Sequence, residues 1–269
     1  GETARERLEM KALLIYPTFP ETFWSFKSIL KFISRKAAFP PLGLLTVASM
    51  MPDEWDMKLV DMNVKDLKEE DLLWADVVFI SAMFVQRESA REVVDWCKSL
   101  GKKTVAGGPL FTTGMDNFMD IDHILPYETE NTFPQFLRDL ESGDLQHIYY
   151  PTDRPEITKT PVPRWSLIRL RDYATMAIQF SRGCPFNCEF CDIIVINGRQ
   201  VRTKSPEQML TEFNALQDHG WKDSVFVVDD NFIGNKANVK RLLPELIKWQ
   251  QERNYPFKLF TQASTNLAD

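Results

Sequence analysis

The sequence predicts an α/β protein made of a doubly wound, Rossmann-like parallel sheet followed by the first half of a (β/α) barrel. Three observations carry that expectation. From Lys11 to about residue 140, short Val/Ile/Leu-rich runs alternate with amphipathic stretches, the pattern of parallel strands covered by helices on both faces. Asp144–Arg169 then interrupts the alternation with Pro151, Pro155, Pro161 and Pro163, which disfavour regular structure. The alternation resumes at Tyr173 and continues to the end of the chain.

The predicted strands of the first unit are Ala12–Tyr16, Met57–Asp61, Val77–Ser81, Lys103–Ala106 and His123–Pro126. Helices are expected over Leu42–Met50, after Pro40-Pro41, over Glu88–Leu100, with Val93, Val94, Cys97 and Leu100 at helical spacing, and over Thr132–Leu140, before Gly143. A doubly wound sheet binds ligands beyond the carboxyl ends of its strands. Here those ends are the loops Pro17–Phe26, Ser81–Gln86 and Gly107–Phe111. Ser81-Ala82-Met83 and Gly107-Gly108-Pro109 are small enough for a flat, bulky ligand to approach the backbone.

In the second unit Tyr173–Phe180, Ser224–Val228 and Phe257–Gln262 read as strands. A helix begins at Ser205-Pro206, with Ser205 as N-cap and Gln208 closing a capping box, and Met209, Leu210, Phe213 and Leu216 form its apolar face. Asn235 caps another, with Val239, Leu242, Leu243, Leu246 and Ile247 buried and a kink expected at Pro244. The boundaries are therefore residues 1–9 as leader or cloning-derived residues ahead of Met10, 10–150 as the first domain, 151–172 as linker and 173–269 as half of a barrel. The barrel should continue beyond Asp269. In such barrels the chemistry sits at the carboxyl ends of the strands.

Composition limits the function. The chain has 269 residues, 44% of them hydrophobic, enough for substantial cores. A balance of 32 basic to 38 acidic residues gives net −6 and argues against nucleic acid as a partner. No apolar run is long enough to cross a bilayer, and the polar start lacks a secretory signal. Three of the four cysteines are crowded together, unlike a disulfide framework, which fits a reducing cytoplasm.

Those three, Cys184, Cys188 and Cys191, are spaced C-x3-C-x2-C in Gln179-Phe-Ser-Arg-Gly-Cys-Pro-Phe-Asn-Cys-Glu-Phe-Cys-Asp192, at the end of the first barrel strand. Thiolates this close can converge on a soft metal centre. Three of them on a four-iron cluster would leave one iron open to a chelating ligand. Zinc would need a fourth ligand, and His219 is distant. Cys97, beside Trp96, reads as a core thiol. His123, His147 and His219 read as surface or capping residues, and Phe23, Trp24 and Phe26 as a core cluster or a lid.

The cysteine spacing, with Phe190 before the last cysteine, resembles the signature of radical S-adenosylmethionine enzymes. The resemblance implies a 4Fe-4S cluster on Cys184, Cys188 and Cys191 that cleaves S-adenosylmethionine to methionine and a 5′-deoxyadenosyl radical, with Phe190 on the adenine side. It places Asp229, Asp230 and Asn231 near the methionyl amino group, although this acidic segment is also a normal helix-capping turn. The first unit, with Pro40-Pro41-Leu42-Gly43-Leu44, Ser81-Ala82-Met83 and Gly107-Gly108-Pro109, is similar to a cobalamin-binding domain. Residues from Lys11 onward, including Val228-Asp-Asp-Asn-Phe-Ile-Gly-Asn235, resemble the cobalamin-domain branch of that superfamily. The loop after the first strand, Pro17-Thr-Phe-Pro-Glu-Thr-Phe-Trp24, lacks the D-x-H-x-x-G pattern, so cobalamin without a histidine ligand to cobalt is expected. The implied activity is methyl transfer to an unactivated carbon of a small-molecule, lipid or peptide substrate, with a flavodoxin- or ferredoxin-type electron donor. The alternatives are radical cyclisation, coupling or rearrangement, or an iron–sulfur electron carrier or redox sensor.

Overall fold

The computed structural model describes residues 9–21, 30, 32–189 and 191–265. Contacts divide the chain into two units, one of residues 1–25 and 47–152 and the other of residues 26–46 and 153–269. In the first, five apolar runs form strands β1 (Lys11–Tyr16), β2 (Asp56–Asp61), β3 (Val77–Ser81), β4 (Lys103–Gly107) and β5 (His123–Leu125). They make an all-parallel sheet in the order β2-β1-β3-β4-β5, the flavodoxin-like doubly wound arrangement. The order in which strands are added reverses between β1 and β3, which places the crevice at their carboxyl ends.

Burial on both sheet faces explains the nearly unbroken apolar strands. One face is aliphatic: Leu13, Ile15, Val78 and Ile80 share a core with Val93, Val94 and Cys97 of the helix Arg87–Ser99. The other is aromatic: Phe79 meets Trp55, Phe133 and Phe136 at ring separations of 6.1 to 6.3 Å. Phe133 and Phe136 lie on the helix Phe133–Ser142. The helix Leu42–Met50 also forms as expected. Periodicity misses the one-turn helices Glu69–Trp74, which buries only Leu72, and Pro109–Thr113; so few turns carry too little pattern.

In the second unit β6 (Met176–Ile178), β9 (Ser224–Val227) and β10 (Lys258–Thr261) are parallel neighbours in chain order. The helices Pro206–Asp218 and Lys236–Glu252 connect them, as in the wall of a (β/α) barrel. Val225 and Val227 are buried, and Phe213, Trp249 and Phe257 pack within 5.9 Å of one another. On the opposite sheet face Phe226 stacks on Phe260 at 4.8 Å.

Several expectations need correction here. Ser205 caps its helix, its Oγ accepting from Gln208 N, but the Gln208 side chain donates to Ile157 O and Thr160 O and closes no capping box. Glu212 takes the buried position expected of Leu210. Trp249 and Gln250 are buried on the next helix, whereas Leu243 and Ile247 are exposed. That helix runs continuously through Pro244, because its buried face offsets one missing N–H. Residues 153–172 have only single 3-10 turns, yet bury Ile157 and Trp165. A second short sheet, β7 (Ser181–Arg182) against β8 (Arg202–Thr203), is antiparallel and was not expected.

Candidate functional site

The cysteines lie on an excursion whose two ends are β7 and β8, immediately beyond the carboxyl end of β6. Gly183 opens it with φ of +98°, and a Cβ there would stand 2.5 Å from Gln200 O, so an L side chain is excluded twice over. Cys184 N donates to Gly198 O at 3.1 Å, and Cys191 N to Cys188 O at 3.1 Å. All three thiols are unpaired; Cys188 is exposed and the other two are half-buried. Among the described residues no three His, Cys, Asp or Glu side chains converge as ligands of one ion would. Phe190, Phe23, Trp24 and Phe26 lie outside the described residues.

The carboxylates of the second strand's exit grip this excursion. Asp229 is 2% exposed; it accepts from Phe180 N at 2.7 Å and from Ser181 Oγ at 2.5 Å. Burial pushes its carboxyl up to about 6, although the hydrogen bonds from Ser181 and Phe180 oppose the rise. Asp230 Oδ2 accepts from Gly183 N at 2.9 Å and from Asn197 Nδ2 at 3.0 Å. Asn231 turns away and donates to Ser264 Oγ at 2.5 Å.

Beneath the excursion, Lys204 and Glu212 form an ion pair, with side-chain exposures of 4% and 1%. Burial raises the Glu212 carboxyl while Lys204 opposes that shift. Lys204 N also donates to Phe180 O at 2.8 Å. On the far side, Arg154 donates to Ile196 O at 2.5 Å and Val195 O at 3.1 Å, which caps the exposed carbonyls of the one-turn helix Ile193–Ile196. Arg202 bridges Pro155 O at 2.9 Å and Asn197 O at 3.0 Å. None of Arg154, Asn197, Arg202, Lys204 and Glu212 was expected from the sequence. Glu212, a charge inside an apolar helical stripe, was the one available signal.

In the first unit the structure brings the proposed loops together. Ser81 and Gly107 are registered partners on β3 and β4. Gly108 has φ of +93°, and a Cβ there would lie 2.6 Å from Ser81 Oγ. Leu110 N donates to Ala82 O at 3.0 Å, just after Pro109 begins its short helix. Met83, Phe84 and Val85 are about half exposed at the same edge. The loop after β1 is tied in by side chains that sequence reasoning missed. Pro17 O accepts from Asn63 Nδ2 at 3.1 Å and Gln86 Nε2 at 2.5 Å, and Phe19 N donates to Asn63 Oδ1 at 2.8 Å.

The remaining candidates have structural roles. Cys97 is fully buried, and burial pushes its thiol up to about 12. His123 is 9% exposed against Phe136 rather than on the surface, with Nδ1 2.6 Å from Gln146 O. His147 Nε2 and His219 Nδ1 each contact a backbone carbonyl.

Residues 32–137 match the family described as B12 binding domain. The match takes in β2 to β5 with the Ser81 and Gly108 loops, whereas β1 and the loop after it precede it. The chain is 51% identical over 262 residues to an uncharacterized methyltransferase of Synechocystis sp., covering 97% of this chain and 49% of that one. It is 33% identical to a hopanoid C-2 methylase of Rhodopseudomonas palustris, covering all of this chain and 51% of the relative. The solved structure of the radical S-adenosylmethionine methyltransferase TsrM from Kitasatospora setae, with cobalamin and a [4Fe-4S] cluster bound, superposes with a TM-score of 0.69 at 15% identity. That superposition covers 94% of this chain and 54% of the other. The chain thus shares the fold of that structure, and it spans about half the length of the curated relatives it matches.

Proposed function

We propose that this chain belongs to a radical S-adenosylmethionine enzyme that transfers a methyl group from cobalamin to an unactivated carbon. The observation that carries the reading is the cysteine excursion: three unpaired thiols, at the carboxyl end of the first strand of a barrel wall, in one chain with a B12 binding domain. Cys184, Cys188 and Cys191 would hold a 4Fe-4S cluster, a soft thiolate site with one iron left for a chelating cofactor. The donor set fits, because it is all sulfur, solvent-accessible and anchored to a rigid strand.

Phe190 and the Asp229–Asn231 segment are the candidates beside S-adenosylmethionine. Ser81, Ala82, Met83, Gly107, Gly108 and Pro109 would receive cobalamin, and the absence of a Cβ at Gly108 leaves the backbone open there. Bound together, the cluster and the two organic cofactors supply the electron, the radical and the methyl group. This chain's own residues hold the thiols in register with the strand ends and present an apolar rim at the crevice. The hopanoid methylase relative favours a lipid or other small apolar substrate. Among the described residues no helix is long and apolar enough to cross a membrane, and free thiols of this kind suit the cytoplasm and a flavodoxin- or ferredoxin-type donor.

Anaerobic reconstitution of the full-length protein with iron and sulfide tests the reading. Formation of 5′-deoxyadenosine that disappears in Cys188→Ala, together with a retained corrinoid absorption spectrum, is expected. A reducible cluster that never cleaves S-adenosylmethionine would instead indicate an electron carrier or sensor. Cleavage without methylated product would indicate another radical outcome.

A further inference from the structure

The sequence resemblance puts Asp230 beside the cofactor, but its hydrogen bonds point elsewhere. A single oxygen, Oδ2, accepts from Gly183 N at 2.9 Å and from Asn197 Nδ2 at 3.0 Å. These donors stand at opposite ends of the cysteine segment, one just before Cys184 and the other after Cys191. The carboxylate itself comes from neither end; it follows β9, the strand next to β6.

We infer that Asp230 is a staple that closes the base of the cysteine excursion and ties it to the adjacent strand. It is a positioning residue for the three thiols, acting through the backbone of Gly183 and the side chain of Asn197. The surrounding contacts support the same closure. Cys184 N reaches Gly198 O at 3.1 Å, Arg202 holds Asn197 O at 3.0 Å, and a Cβ added to Gly183 would stand 2.5 Å from Gln200 O, so the two ends of the excursion lie side by side. A carboxylate suits this place because an anionic acceptor shared by two donors makes a stronger tie than a neutral one. A loop that must present thiols to a metal centre needs its ends fixed, since a shift of about 1 Å in a supporting shell is enough to spoil a site.

The role in positioning rests on the radical-enzyme reading, whereas the staple itself does not, so the test has two arms. In the iron-free full-length protein, hydrogen–deuterium exchange of peptides covering residues 181–188 should speed up roughly tenfold in Asp230→Ala, the scale of one lost charge-assisted hydrogen bond. Asp230→Asn should restore most of the protection, because its amide oxygen can accept from both donors. Asn197→Ala should give an intermediate result. In the reconstituted protein, iron content and cluster absorption should follow the same order, with Asp230→Asn rescuing what Asp230→Ala loses. Unchanged exchange in Asp230→Ala would overturn the staple. Equal damage from both Asp230 variants, with protected loop peptides and a raised KM for S-adenosylmethionine, would overturn it in favour of direct cofactor contact. If the wild type forms no 5′-deoxyadenosine, the radical reading fails while the exchange arm still decides the staple.

Discussion

The two candidate sites are built by opposite means. The crevice of the first unit is shaped by missing side-chain atoms: Gly108 sits against Ser81 Oγ, and neutral amides such as Asn63 and Gln86 bind backbone carbonyls. The cysteine excursion of the second is held by charge, with Asp229, Asp230, Lys204, Arg154 and Arg202 all bonded to it or beneath it. A site for a large preformed cofactor needs an open, close-approaching backbone. A site assembled from thiols on an irregular loop needs its backbone groups satisfied and its ends fixed. The difference predicts that the second site is the more fragile and the more sensitive to charge.

Substitutions can break that contrast, beginning with the largest effect. Gly183→Ala forces a side chain into a left-handed residue 2.5 Å from Gln200 O, and should abolish cluster uptake while leaving corrinoid binding intact, as absorption spectra of the reconstituted protein would reveal. Lys204→Met leaves Glu212 buried without its partner and should lower stability by about 3–5 kcal/mol, measurable by urea unfolding. Lys204→Met combined with Glu212→Leu should recover most of that loss.

The pH dependence of Asp229 gives a smaller signal. Its carboxyl is raised from 3.8 to about 6 in the folded protein, so between those values the folded state holds the proton more tightly than the unfolded one. Its contribution is fully present below the lower value and is lost as pH rises through the upper one. Wild type should therefore lose stability relative to Asp229→Asn across that window, by at most ~1.4 kcal/mol per pH unit. Equal slopes for the two proteins would remove Asp229 from the account. Gly108→Ala should have the smallest effect on folding, about 1–3 kcal/mol for a backbone (φ +93°, ψ −177°) in a region essentially confined to glycine. It should also weaken corrinoid retention, and Ser81→Ala in the same chain should relieve only the steric part.

The legibility of these features in sequence follows the same contrast. Parallel strands such as Val77–Ser81 announce themselves because burial on both faces demands unbroken apolar runs. The cysteine spacing and the Gly107-Gly108 pair are local signals, and both were readable. What holds the cysteine excursion was not, because Asp230 meets Gly183 and Arg154 meets Ile196 only after the chain folds back across more than forty residues. Buried helix positions were misassigned where tertiary contacts overrode periodicity, as with Glu212, whose burial depends on Lys204, and Trp249, which packs on Phe213. Asp229 and Asp230 were visible as an acidic pair, yet their attachment to the preceding strand's exit required the register of β6 and β9.

The most direct measurement is 5′-deoxyadenosine production by the anaerobically reconstituted full-length protein, with Cys184, Cys188 and Cys191 replaced in turn by alanine. The radical-enzyme account predicts product from the wild type and none from any of the three variants. A cluster that forms and reduces normally in the wild type without cleaving S-adenosylmethionine would contradict it.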